Sequence, residues 1–427
     1  MGNVIAMVLA GGRGKRMDIM CYGRPKPALP FAGKFRVIDF SLSNCIHSQI
    51  SDVAVLTDYQ RSQLANYLRG WYSANASFRN VAILEPQNGS YKGTADAIYQ
   101  NLGYVERRGA DTVLILAGDH IYKMDYRGLL AYHREVNADV TVGVVPVPID
   151  QAHRFGTVAT DGEGRIIEFI EKPSIPKSNL ASMGIYVFNR ESLVERLRED
   201  AARSDSPHDF GYAIVPGMVN RDKVFAYKFN GYWQDIGTIE VYYAANMELI
   251  RQKPSFSLDG TWPVFAEDNS LPSPRKSRQG TIDNSITSSG CMVKGHVENS
   301  ILGPGVWVEE QAVVKNSVIM DNAFIGYHSV VDHCILDEGV SIGRFCYIGF
   351  GGSLFSQDWD ITVLGKGVIV PNHTAIGCNC RISPHVNVAD LATNAVPPGT
   401  IISPQSVARS IAMRGRVTAN EECTKEC

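Results

Sequence analysis

The chain lacks the features that mark several large protein classes. In 427 residues no apolar run approaches the ~20 that a membrane helix needs. The opening residues lack the charged-then-apolar layout of a signal peptide. A cytoplasmic protein with no membrane partner is therefore expected. No excess charge of one sign is present either: 41 Lys and Arg face 44 Asp and Glu, a net charge of -3. That balance argues against nucleic acid as a bulk partner and confines any basic site to a local patch. Nine cysteines are scattered without a framework. Cys378-x-Cys380 is the closest pair, and free buried thiols are expected rather than zinc or disulfides. Met1-Gly2 invites a lipidation reading, but Ala6 stands where Ser or Thr is wanted.

What is present divides into two patterns. Up to about residue 250, continuous apolar runs such as Val53–Thr57, Thr112–Ala117 and Thr141–Val147 alternate with helix-like stretches. Such runs predict an α/β domain with a parallel sheet covered on both faces. Residues 251–283, broken by Pro254, Pro263, Pro272 and Pro274, read as a linker. Beyond it the sequence repeats. Asn284-Ser285-Ile286, Asn299-Ser300-Ile301 and Asn316-Ser317-Val318 recur, while Leu364, Val370, Ile376 and Ile382 are each six apart. One aliphatic per six residues predicts a parallel β-helix over 284–395, each aliphatic pointing into a triangular prism. Residues 396–427 read as a C-terminal tail.

The chemistry starts at "MVLAGGRGKRM" (7–17), an apolar strand that ends in glycines and cations. It is not a P-loop, because Arg16 follows Gly14-Lys15 where Ser or Thr is required. It is not a dinucleotide fingerprint, because Met17 stands in place of the third glycine. A plain turn would not call for Arg13, Lys15 and Arg16 together, nor for the Arg24-Pro25-Lys26-Pro27 that follows. Exposed backbone N–H groups with Arg and Lys side chains suit a polyphosphate. Asp119, just past the strand ending at Ala117, lies on the same carboxyl rim.

"LAGGRGKRM" and "RPKPALPFAGKFRVIDFSLSNC", followed by "GTADAI", "LAGDHIYKMDY", "EFIEKP", "ASMGIYVF", "HDFG" and "YWQDIGTIEVYYAAN", resemble the sugar-nucleotide pyrophosphorylases. The branch they are most similar to makes ADP-glucose and pyrophosphate from ATP and glucose 1-phosphate. The resemblance covers about residues 4–390 and implies a Rossmann-like N-terminal domain with a mixed, mostly parallel sheet, and a left-handed β-helix. It implies Arg16, Lys26 and Asp119 as catalytic residues, with Leu9, Gly11, Gly12, Arg13, Gly14, Gly93, Thr94 and Asp96 around the nucleotide. It places Tyr91, Gly156, Glu171, Lys172 and Ser182 around glucose 1-phosphate, Lys172 on its phosphate and Glu171 on its hydroxyls. Asp119 and Asp235 would hold Mg²⁺. It further implies a homotetramer controlled by an anionic small-molecule effector, with Arg36 and Arg107 as candidate effector residues. The chain departs from the family at Gly23, where an activator-binding Lys is usual, at Ser90 in place of Trp, and at Asp58 in place of Gln. Tyr186 and Phe188 read as core. Two alternatives stay open: a non-catalytic regulatory subunit, or a pyrophosphorylase for another nucleotide and sugar phosphate. An acyltransferase using His373 or His385 on the β-helix is a more distant one.

Overall fold

The computed structural model describes residues 3–74, 80–267, 270–351, 360–391 and 393–408. Most of the expected C-terminal tail, 409–427, lies outside the described residues. The N-terminal half is built on a nine-stranded sheet: β1 Val4–Leu9, β2 Asp52–Leu56, β3 Asn80–Leu84, β4 Thr112–Ala117, β5 Val140–Pro146, β6 Gly156–Thr160, β7 Ile166–Glu171, β8 Leu180–Asn189 and β9 Val224–Lys228. Its spatial order is β7-β6-β8-β4-β1-β2-β3, with β5 on β8 and β9 on β5. The sheet is mixed. β1 runs parallel to β2 and β4, and β3 to β2, whereas β8 is antiparallel to β4, β5 and β6.

The apolar runs are continuous because both faces are covered. In β1, Ile5 and Met7 enter one core with Val113 and Ile115 of β4. The intervening Ala6 and Val8 enter the core on the opposite face with Leu114 and Leu116. Alternate side chains of a strand point to opposite faces, so a strand buried on both sides has no polar phase.

From Arg275 to Ile402 the chain winds through three parallel sheets of six, seven and seven strands, the hexapeptide β-helix expected. Val370, Ile376 and Ile382 point into its core, as does Leu364. Asn284, Asn299 and Asn316 occupy corners with φ of 42°, 46° and 45°. Asn tolerates that left-handed conformation better than most residues. The Ser after each Asn stacks: Ser300 N–H donates to Ser285 Oγ at 3.0 Å, and Ser317 N–H to Ser300 Oγ at 3.1 Å.

The boundaries expected for 251–283 and 284–395 need correction. The coil already includes strands Arg275–Lys276 and Thr281–Asp283, and it continues past 395 to Ile401–Ile402. The stretch before it is a packed strap rather than a loose connection. Phe256 and Val264 are buried, Trp262 Nε1 donates to Asn44 Oδ1 at 3.0 Å, and Phe265 N–H donates to Ser43 Oγ at 2.9 Å. A single apolar cluster joins Met17, Phe31 and Tyr242 to Val318, Met320 and Val363 of the β-helix.

Candidate active site

The site lies at the carboxyl ends of β1, β2 and β4. After β1 the backbone turns at Gly11 and Gly12. A Cβ on Gly11 would come within 2.9 Å of Asp58 Cβ, so only glycine lets this turn pass the end of β2. Gly14 has a φ of 61°, and a Cβ there would press on Cys21 Sγ and Lys26 Cβ. The turn is thereby packed against the segment that carries Lys26. Arg13 and Arg16 are exposed on it. Arg13 lies over the Tyr59 ring at 5.5 Å, and the Arg16 guanidinium would meet a Cβ placed on Gly237 at 3.2 Å.

Two acidic residues distant in sequence meet here. Asp119 follows β4, and Asp235 sits on a short ribbon where Trp233–Asp235 pairs antiparallel with His120–Tyr122, Asp235 opposite His120. Lys26 bridges both carboxylates, at 2.9 Å to Asp119 Oδ2 and 2.7 Å to Asp235 Oδ1. His120 Nε2 lies 3.6 Å from Asp119 and 3.7 Å from Asp235. Burial alone would raise the Asp235 pKa, but Lys26, His120 and Arg16 hold it down to about 2. Burial works against the Lys26 ammonium, and the two carboxylates more than offset it, raising its pKa.

A cavity of about 420 Å³ opens from this cluster. Leu9, Gly11, Gly12, Tyr91, Gly93, Thr94, Asp119 and Glu171, all expected at the site, line it. Glu171 ends β7, its Oε1 3.1 Å from Lys172 Nζ. Burial pushes its carboxyl up while Lys172 opposes the shift. Gly156 packs behind it: a Cβ there would stand 2.5 Å from Glu171 Oε2. Lys172 itself adopts a φ of 48° and is half-exposed, its ammonium 5.7 Å from the centre of the exposed Tyr212 ring.

Other expected site residues have supporting positions. Gly93 permits a close approach, because a Cβ would fall 2.3 Å from His208 O. Thr94 Oγ1 donates to Asp209 Oδ2 at 2.8 Å, and Asp96 accepts from Lys92 N–H and Gln100 Nε2, each at 2.8 Å, tying down the loop. Ser182 is buried and accepts the Gly184 N–H at 3.3 Å.

Arg36 and Arg107 do not come together. Arg36 pairs with Glu338 at 2.7 Å and Asp321 at 3.1 Å on the β-helix. Arg107 is exposed on the helix Leu102–Arg108, whose end accepts a hydrogen bond from Asn3, at the amino end of the sheet. His373 stacks on Phe345, ring centres 5.2 Å apart, at an outer corner of the β-helix.

Sequence reasoning missed part of the wall. Asp58, Gly184, Tyr186, Asp209, Phe210 and Gly211 all line the cavity. Tyr186, expected in the core, is buried but also presents a face to the cavity, stacked on Phe210 at 5.5 Å. Asp209 accepts the Gly211 and Tyr212 N–H groups at the start of one π-helical turn. The quoted motif "HDFG" held these residues without revealing their place. Asp58 and Ser90 prove to be partners: Ser90 Oγ donates to Asp58 Oδ2 at 2.7 Å, and Tyr91 N–H to the same oxygen at 3.3 Å.

Comparison with known proteins matches residues 5–252 to the nucleotidyl transferase family. Residues 271–370 match the GlmU-like C-terminal hexapeptide family. A glucose-1-phosphate adenylyltransferase of Acetivibrio thermocellus is 41% identical over 403 residues, covering 91% of this chain and 94% of the relative. One of Thermomicrobium roseum is 42% identical over 422 residues, covering 95% and 98%. One of Bacillus thuringiensis is 44% identical over 348 residues, covering 79% and 92%. With the glycine turn, the paired carboxylates and the hexapeptide coil in one molecule, and relatives this similar along nearly all of it, the chain belongs to the glucose-1-phosphate adenylyltransferases of the nucleotidyl transferase family.

Proposed function

We propose that this chain transfers the adenylyl group of ATP to glucose 1-phosphate, giving ADP-glucose and pyrophosphate. One observation carries the reading: the glycine turn, Asp119 of the Lys26–Asp119–Asp235 cluster and Glu171 border a single cavity. The N–H groups of Gly11 to Gly14, with Arg13 and Arg16, take the triphosphate. Lys172 takes the phosphate of the sugar, and Glu171 accepts from its hydroxyls. A phosphate oxygen of glucose 1-phosphate then attacks the α-phosphorus from the side opposite the leaving group. A new P–O bond forms, the bond to the β-phosphate bridging oxygen breaks, and pyrophosphate departs with that electron pair. No proton need move, so the protein's work is alignment and charge neutralisation.

A divalent cation belongs to this chemistry. Asp119, His120 and Asp235 offer ligand atoms within 4.8 Å of one another. Two carboxylates with room for phosphate and water ligands fit Mg²⁺. Asp119 and Asp235 would hold it, and its contribution when bound is to offset charge on the phosphates. The proposal extends to a cytoplasmic homotetramer. No helix among the described residues is long and apolar enough to cross a membrane. It also includes control by an anionic effector, for which Arg36 would have to exchange its carboxylate partners. Incubation with each nucleoside triphosphate, glucose 1-phosphate and Mg²⁺, followed by pyrophosphate release, tests the reading. ATP should be the preferred donor by at least tenfold. Preference for another nucleotide, or no release at all, would reject it.

A further inference from the structure

Lys26 is held in a manner that phosphate binding does not explain. Its ammonium donates to Asp119 Oδ2 and Asp235 Oδ1 at 2.9 and 2.7 Å, the two carboxylates assigned above to a divalent cation. Its side chain is only 7% exposed, whereas Asp119 is 32% exposed and faces the cavity. An ammonium and a divalent cation bound to the same pair of carboxylates would repel strongly in so sheltered a place. The backbone around Lys26 is stiff: Pro25 and Pro27 flank it in a single 3-10 turn, and Pro27 lines the cavity. The side chain is not stiff, since a lysine stem has four carbons and a compact charge at its tip. The ammonium can leave the carboxylates while the backbone stays in place.

Building on the adenylyl-transfer reading, we infer that Lys26 is an exchangeable internal counter-ion. In the free protein it neutralises Asp119 and Asp235. It yields them to a divalent cation carried in with the nucleotide, and its released ammonium turns into the cavity to meet a phosphate oxygen. The exchange makes the carboxylate pair a poor metal site until the triphosphate is present. It also delivers a positive charge to the phosphates at the moment they arrive.

Direct metal binding tests this without reference to turnover. Mn²⁺ is titrated into the full chain in the absence of nucleotide, with free ion read by electron paramagnetic resonance. Lys26→Gln should bind Mn²⁺ at least tenfold more tightly than the unaltered protein, whereas Lys26→Arg, which keeps the cation, should remain weak. A second measurement needs no variant, and so decides the matter even if Lys26→Gln fails to fold. The unaltered protein is treated with an amine-acylating reagent, and the Lys26 peptide is quantified by mass spectrometry. Saturating Mn²⁺ should raise labelling of Lys26 severalfold. Unchanged Mn²⁺ affinity in folded Lys26→Gln, or labelling that Mn²⁺ does not raise, overturns the exchange. The underlying reading fails differently: the unaltered protein would then form no ADP-glucose from ATP.

Discussion

Asp119 touches Lys26 on one side and the cavity on the other, so Asp119→Asn removes charge with little change of shape. Its kcat should fall ~100-fold or more, the scale of losing a transition-state charge clamp. Steady-state pyrophosphate release at saturating Mg²⁺ checks this, and an unchanged kcat would reject the assignment. Lys172→Gln should act on the apparent affinity for glucose 1-phosphate, with KM for ATP nearly unchanged. Equal losses for both substrates would mean a misassigned role. Asp39 makes a prediction about pH. It is fully buried, and burial pushes its carboxyl up to about 7 despite hydrogen bonds from Arg36 N–H and Tyr67 Oη. A folded-state pKa above the unfolded value of about 4 gives stability that is complete below that value and is lost as pH rises through about 7. Asp39→Asn cannot ionise. Its melting temperature relative to the unaltered protein should therefore improve between pH 5 and pH 8, and parallel curves over that interval would contradict the assignment.

Between elements, one tie is a buried ion cluster where the segment carrying Lys26 meets the β-helix. The buried Arg24 pairs with Asp337 and lies 3.3 Å from Glu338, and Lys366 joins Glu338 at 2.7 Å. Burial favours the neutral form of Glu338, but Arg36, Arg24 and Lys366 hold its pKa down to about 2. Removing one partner of a buried pair costs about 3–5 kcal/mol. Asp337→Asn should therefore lower the melting temperature clearly, and kcat with it, because Arg24 stands two residues before Lys26. Glu309→Gln, which breaks the more open Lys294–Glu309 pair at 3.3 Å, is the control that should do neither. An unchanged melting temperature in Asp337→Asn would show that the cluster does not clamp the two halves. Legibility in the sequence follows the same scale. Strands such as Thr112–Ala117 could be read because both faces are apolar, and the coil because Leu364 to Ile382 keep a six-residue beat. Strand direction could not, since the run forming β5 has the same composition whether its neighbour is parallel or antiparallel. The first turn of the coil was hidden because Arg275 and Lys276 are exposed and carry no aliphatic signal. At the site, the glycine turn is local and was legible. The wall from Asp209 to Gly211, and the Asp58–Ser90 pair, depend on contacts that only the folded chain creates.

At the scale of the whole molecule, catalytic half and β-helix share an apolar cluster and an ion cluster, so they act as one body rather than as two domains on a tether. The outer surface of the coil is not fully polar. Phe324 and Ile369 point outward from one sheet, and Phe345 and Tyr347 lie exposed nearby, an apolar surface of the kind that marks association. A homotetramer at micromolar concentration is expected, with light scattering giving four times the 46.9 kDa of one chain; the mass of a single chain would contradict it. The proposed adenylyl transfer rests on one chemical event, attack by a phosphate oxygen of the sugar phosphate on the α-phosphorus of ATP. Glucose 1-phosphate carrying ¹⁸O in its three non-bridging phosphate oxygens follows that event atom by atom, with products resolved by ³¹P isotope shifts. Attack by a sugar-phosphate oxygen on the α-phosphorus predicts ADP-glucose with ¹⁸O in the oxygen between its two phosphorus atoms, and pyrophosphate free of label. Label in pyrophosphate, or a bridging oxygen without it, would contradict that attack.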